Sequence, residues 1–488
     1  MVLHRDEVDG VPVYWSQGSE PLSATLLFRV GVRDETFRTC GVTHLVEHLA
    51  MSTLGRRRHQ YNASVDVTYT EFAASGRPEG VLAYLSDVCA ALTKLPMDRL
   101  GTEAKVLAAE EGNSVHPAVG ELLRQRHGQR ALGLAGVSPP ALDQIDAGTV
   151  TAHARRFFVR ENAALALTGP PPAGLRLPLP TGAASRQPPD RLLPLPLPGW
   201  FPLGGPATGL SFLMTTEEPV AWEAAMATLR IAMDRAMDEL RHRHGWLYDV
   251  DFVLTRTDGD SVACIHADPP DDHAEDIRRG LLTILRDLRD VGPADAELAE
   301  DLAAMREHFE DPRAAESEAC AAAAAHLLDQ PALSSAEKLS VRERIGPDHC
   351  RRSLEQLDRT LIVGMPPEVR PDDSALHEDP EFSPSAVSGR RFRRNPIRGW
   401  LGGPPPGSRL VVGDEGVTVS LPAGPVTVLW ADLVGAAVDQ RCRVTRLIGA
   451  DGFTMPLAAR WFRNGDEAMD LINARLTPDV RFHDHCDE

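Results

Sequence analysis

Apolar and polar positions alternate in part over residues 11–32, which predicts short strands, first from Val11 to Trp15 and then over 24–32. Residues 41–51 follow without a proline and read as a helix. Residues 62–74 alternate again, like a strand lying beside a groove, and 78–95 read as a long amphipathic helix. A second helical segment spans 97–113, and 150–169 read as a helix followed by a strand. Residues 170–198 are too dense in proline for either and form a semi-rigid linker. The pattern then starts over: residues 210–214 match the 24–32 strand, a helix over 222–241 stands where the 41–51 helix stood, and 359–364 echo 163–169. Beyond 409 short strands return and one amphipathic helix over 466–476 closes the chain.

The 41–51 helix carries the first chemistry. His44 and His48 are four residues apart and project from one helix face, so two imidazoles can hold one zinc ion. Glu47 points to nearly the same side, where a carboxylate can take a proton from a metal-bound water without being a ligand. The pattern is the inverted zinc-protease motif H-x-x-E-H, and the second half of the chain lacks it, so one metal site per chain is expected. In the 97–113 segment Glu103 and Glu110 lie two helical turns apart on one face, so that one could bind the metal while the other braces a histidine from behind.

Composition sets limits on the rest. A length of 488 residues allows about three domains, and a formal charge of −19 argues against nucleic-acid binding. The N-terminus has no charged and apolar leader pattern, and no long apolar run occurs, so a cytoplasmic location is expected. The seven cysteines, scattered and without a C-x-x-C pair, read as reduced thiols.

His44-x-x-Glu47-His48, the Glu103-x-x-Val106-Leu107-x-x-Glu110 pattern, and Asn62-Ala63 with Thr70 and Phe72 between them together resemble the pitrilysin/insulinase (M16, inverzincin) zinc metallopeptidases, in their half-length, bacterial processing-peptidase form. The resemblance implies Zn2+ held by His44, His48 and Glu110, with Glu103 behind the ligands and Glu47 as the catalytic base. Glu111 is an alternative ligand one residue out of register with Glu103. The connection from His48 to Glu110 is shorter than is usual in that family, and Val65 stands where a threonine is common. Asn62 and Ala63 are implied to align an extended peptide through backbone hydrogen bonds. In the resembled family an arginine and a tyrosine seven apart reach the scissile peptide, and Arg241 and Tyr248 match that spacing around Gly245. They would stabilise the oxyanion across a clamshell made by two half-length units, which implies a homodimer or a heterodimer with another M16-like chain.

The fold expected is α+β: two homologous M16-like α/β sandwich domains forming half a clamshell, plus a small C-terminal β-rich domain. Residues 1–180 are the N-terminal catalytic domain with the zinc site, 181–200 the proline-rich linker, and 201–370 the second domain carrying the Arg/Tyr element. Residues 371–400 read as a linker with a basic cluster at Arg390, Arg391, Arg393, Arg394 and Arg398. Residues 401–488, with Gly413-Asp-Glu-Gly and Trp430-Ala-Asp-Leu, resemble a bacterial PH-like domain. The functional expectation is a zinc-dependent endopeptidase cleaving peptides or unfolded precursor segments, without membrane contact; the alternative is a non-catalytic protease-like scaffold or heterodimer subunit that binds peptide and recruits partners.

Overall fold

The computed structural model describes residues 2–54, 60–110, 115–186, 188–257, 259–268, 272–397 and 402–484. Glu111, Arg398, Cys486 and most of the loop before Gln60 lie outside the described residues. The N-terminal domain contains β1 (Leu3–Val8), β2 (Val11–Ser16), β3 (Leu22–Phe28), α1 (Val42–Met51), β4 (Gln60–Val65), β5 (Thr70–Gly76), α2 (Pro78–Thr93), α3 (Leu100–Ala109), α4 (Pro117–His127), α5 (Ala147–Phe157) and β6 (Ala163–Leu167). Its sheet runs β1-β2-β6-β3-β5-β4, with β4 at one edge.

The second domain contains β7 (Gly199–Pro202), β8 (Thr208–Met214), α6 (Pro219–Ala236), β9 (Asp249–Arg256), β10 (Ser261–Asp268), α7 (Ala274–Asp290), α8 (Asp295–Glu310), α9 (Ala314–Leu327), α10 (Ser335–Arg342), α11 (Pro347–Ser353), α12 (Leu357–Thr360), β11 (Ile362–Met365) and β12 (His377–Glu378). Its sheet order, β12-β7-β11-β8-β10-β9, repeats the first strand for strand from β2 to β6. The parallel pair β2 with β6 is matched by β7 with β11, and in each sheet the strands beyond it (β3, β5, β4 and β8, β10, β9) run antiparallel to their neighbours. Only the outer edge differs, since β1 pairs antiparallel with β2 whereas β12 pairs parallel with β7.

Both faces of each sheet are covered, and the two domains exchange helices to do it. One face of the first sheet packs on α1, α2 and α5 through Leu45, Leu49, Leu85 and Val150. Its other face receives α9 from the second domain, whose Ala319, Ala322 and Ala323 lie on Tyr14, Leu27, Ala164 and Ala166. Reciprocally, Val119, Leu122 and Leu123 of α4 pack on Phe201, Leu203, Val262 and Ile362 of the second sheet. Burial on two faces removes the alternation expected of a strand, which is why β6 reads as an unbroken apolar run and is buried at all five positions. Arg126, the buried charge of α4, reaches into the second sheet and donates to Ser211 Oγ at 3.0 Å and to the carbonyls of Ser211 and Thr360 at 2.8 and 2.7 Å.

Several expectations change. The single strand expected over 62–74 is a hairpin, because Asp66 to Tyr69 turn the chain, with Asp66 N–H donating to the Tyr69 carbonyl at 2.8 Å. The proline-rich stretch expected to be a semi-rigid linker is a strap packed on the first domain, with Leu175, Leu177 and Leu179 buried in the first core and Asp190 paired with buried Arg33 at 2.7 Å. The basic stretch read as linker is a strand, β13 (Arg390–Arg393): Phe392 is buried and the arginines point outward. It opens a terminal β-rich domain of two four-stranded sheets. β13 is the edge of one sheet, followed in order by β14 (Arg409–Val412), β15 (Gly416–Ser420) and β16 (Pro425–Leu429). The other sheet comprises β17 (Leu433–Asp439), β18 (Val444–Gly449), β19 (Thr454–Leu457) and β20 (Arg481–His483), with α13 (Gly465–Asn473) packed on the shared core through Ala468 and Ile472. Among the described residues no helix is long and apolar enough to cross a membrane.

Candidate metal centre

The start of α1 is built with care. Gly41 caps it at φ +92°, a left-handed conformation that favours glycine, and a Cβ there would meet Leu142 Cδ1 at 2.9 Å. The carboxylate of Glu35 accepts from the backbone N–H of Gly41 at 2.7 Å and of Thr43 at 2.8 Å, satisfying donors that a helix start leaves open. Leu45, Val46, Leu49 and Ala50 bury one face of α1 against the core. His44, Glu47 and His48 then fall together on the remaining side, with all three ligand atoms within 4.8 Å of one another.

α3 packs alongside and supplies two more carboxylates, though not as expected. The helix ends at Ala109, so Glu110 does not share a helix face with Glu103; its backbone is extended, at φ −76° and ψ 117°. Both nonetheless reach the histidines, from opposite sides. Glu103 Oε2 faces His48 Nδ1 at 3.7 Å while its other oxygen is clamped by Arg99 Nη2 at 2.6 Å. Glu110 lies 3.4 Å from His48 Nε2 and 3.8 Å from His44 Nε2. Glu47 Oε2 lies 3.8 and 3.5 Å from the same two nitrogens. Ligand atoms of a tetrahedral zinc ion with bonds of ~2.0–2.1 Å stand about 3.4 Å apart, so the donor chemistry fits and each carboxylate stands near that spacing from the two imidazoles. Geometry alone offers two carboxylates to the histidine pair: Glu47, buried, and Glu110, half exposed.

Burial decides the protonation of these groups. It pushes His44 down to about 4, helped by the neighbouring His48 and opposed by Glu110, which keeps the imidazole neutral and able to donate its lone pair. Burial, reinforced by the charges of Glu110 and Glu103, pushes Glu47 up to about 8.

Around this cluster, β4 presents Asn62 and Ala63 on the edge strand beside α1. Tyr84 Oη donates to the Asn62 carbonyl at 3.0 Å, and its hydroxyl feels the charge of Glu47. Thr43 Oγ1 meets His153 Nε2 at 3.0 Å. Glu35, Tyr84 and His153 had no signal in the sequence, since each acts through a backbone group or a neighbour distant along the chain.

Arg241 and Tyr248 come together elsewhere. α6 continues into a π-helical stretch, Met237–Arg243, that Gly245 ends at φ +69°. The Arg241 guanidinium then lies 5.6 Å from the Tyr248 ring centroid, and Tyr248 is 74% exposed, not a core residue. Among the described residues neither shares a hydrogen bond, ion pair or ring contact with the His44–Glu110 cluster.

No protein-family model matches the sequence, and no curated protein matches it by sequence. Solved structures do match. A protease from Helicobacter pylori is similar at TM-score 0.57 and 14% identity, covering 74% of this chain and 98% of that one. An inactive domain of an M16 peptidase from Pseudomonas fluorescens is similar at TM-score 0.58 and 13% identity, covering 76% of this chain and 99% of its own. The first half of a periplasmic protease from Escherichia coli is similar at TM-score 0.54 and 14% identity, with 75% and 92% covered. Over about three quarters of its length, the chain has the fold of the M16-like peptidases.

Proposed function

We propose that this chain is a zinc-dependent endopeptidase that cleaves peptides or unfolded segments inside a cavity formed with a second M16-like chain. The observation that carries the reading is the convergence of His44, His48, Glu47 and Glu110, with Glu103 behind His48, on a protease-like fold. His44 Nε2, His48 Nε2 and the Glu110 carboxylate would hold the ion, leaving its fourth position open. Zinc supplies Lewis acidity there when bound. Glu47 takes the proton of the attacking water at Oε2 and passes it to the leaving amine. Glu103, held by Arg99, fixes the ring of His48 so that Nε2 presents its lone pair. The edge of β4 at Asn62 and Ala63 aligns an extended substrate.

The exposed Arg241 and Tyr248, removed from their own chain's cluster, fit a role as oxyanion donors in the partner's site. A neighbour that is the first half of a larger protease supports the pairing. The free thiols of Cys40, Cys89, Cys264 and Cys350 fit a reducing compartment, and we place the chain in the cytoplasm.

A second reading, a peptide-binding scaffold without catalysis, is favoured by the likeness to an inactive M16 domain. Metal analysis of the purified chain beside His48→Ala separates the two. One zinc per chain, lost in the variant, is expected of the peptidase; absence of zinc after reconstitution sinks it.

A further inference from the structure

We infer that the C-terminal domain is a clamp, acting within its own chain, on the start of the motif helix, and that Phe37 and Phe482 are positioning residues for the metal centre; this rests on the reading of that centre given above. His44 sits in the first turn of α1, so the direction of that turn sets where its imidazole points. Two segments frame the turn. One runs from Glu35, which holds the Gly41 and Thr43 amides, to Gly41; the other passes through Val137, whose carbonyl accepts from Cys40 Sγ at 3.6 Å, and Leu142, against which Gly41 is wedged.

The C-terminal domain grips both. On the first flank the Phe37 ring lies 6.2 Å from that of Phe482, and it presses on Gly435 so closely that a Cβ there would sit 2.9 Å from Phe37 Cδ1. Arg38 Nε donates to the Arg481 carbonyl at 2.8 Å. On the second flank Gln144 donates to the His483 carbonyl at 2.9 Å and accepts from the His483 amide at 2.7 Å. Leu134 and Ala141 share one apolar cluster with Ala437 and Ile448. Leu134 belongs to the turn that follows α4, where Gln129 N–H donates to the Ala450 carbonyl at 2.7 Å and Arg130 pairs with Asp432 at 3.2 Å. The contacts converge on the two strands of chain that fix the helix start. A module tethered only to recruit partners needs none of them.

Hydrogen exchange on the full-length, metal-free protein tests this. Phe482→Ala should speed exchange of the amides of residues 42–51 by about tenfold. The pair Arg38→Gln with Gln144→Ala cuts the hydrogen bonds to Arg481 and His483 without touching either core, so it should do likewise while β14 and β15 stay protected. Phe482→Tyr should restore protection, and Leu429→Ala, on β16, should change nothing in α1. Unchanged exchange in α1 once the interface itself has loosened would overturn the clamp, as would an equal acceleration in β8 and β10 of the second domain. Zinc titration is read separately: weaker binding by the clamp variants, recovered in Phe482→Tyr, supports the positioning role, whereas a wild-type chain that takes no zinc refutes the metal reading and leaves the exchange result to decide the clamp.

Discussion

Glu47 and Glu110 both lie within 3.8 Å of the two Nε2 atoms, and substitution separates their roles. Glu47→Gln should keep about one zinc per chain and lose turnover by roughly 10²–10⁴-fold, as removal of a general base does. Glu110→Gln should lose the metal itself, and Glu103→Ala should weaken metal affinity by about 10–100-fold. Elemental analysis and a peptide-cleavage assay read all three; zinc retained by Glu110→Gln and lost by Glu47→Gln would reverse the assignment. These residues were legible because helical spacing alone puts positions four apart on one face. Glu110 was found for an incomplete reason: it reaches the histidines from an extended residue just past the helix, not from a helix face. Glu35 was illegible because its partners are backbone amides on the far side of a turn. Glu35→Ala should cost about 1–2 kcal/mol of stability, measured by denaturant unfolding, through open helix-start donors.

At the scale of elements, α4 carries a buried neutral histidine and α5 a partly buried one, and this sets a pH dependence. Burial pushes His127 down to about 3, aided by Arg126, and pushes His153 down to about 3 as well, aided by Arg156. In the unfolded chain both titrate near 6.5, so between 6.5 and 3 the unfolded state binds more protons and stability falls as pH falls, by about 1.4 kcal/mol per pH unit for each. Glu35 opposes them: burial raises it from 4.5 to about 7, so the stability it contributes is lost as pH rises through that window. The three together leave a net loss of about 1.4 kcal/mol per unit on acidification between pH 6 and 5. Urea unfolding at stepped pH measures it, and His153→Gln should flatten the slope; an unchanged slope would remove His153 from the account. Element by element, the long helices α2 and α6 and the strands around them were readable from period and breakers. The 62–74 hairpin was not, because alternation continues through its turn without a glycine or proline to mark it. β13 was hidden by its own arginines, since an edge strand can keep one buried Phe392 and expose charge everywhere else.

The exchange of α4 and α9 joins the cores of the first two domains at the scale of the molecule, which the repeat in the sequence announced only as two similar halves. Leu122→Ala, emptying a fully buried position of α4 on the second sheet, should cost about 2–5 kcal/mol and lower a single transition for both domains; two separate transitions would show them independent. Among the described residues, Arg241 and the exposed Tyr248 make no contact with their own chain's histidines. Tyr248→Phe should raise the barrier to turnover by about 2–4 kcal/mol with stability unchanged, since the residue is exposed and its hydroxyl would act only on the oxyanion. Whether that oxyanion belongs to the partner follows from mixing Glu47→Gln chains with Tyr248→Phe chains in a homodimer. Random exchange makes half of the dimers mixed, and each mixed dimer then has one site with Glu47 in place and Tyr248 arriving intact from the partner. Activity should therefore return to about one quarter of wild type, against almost none for either variant alone. A site completed within one chain gives no recovery at all, because every chain in the mixture lacks one of the two groups.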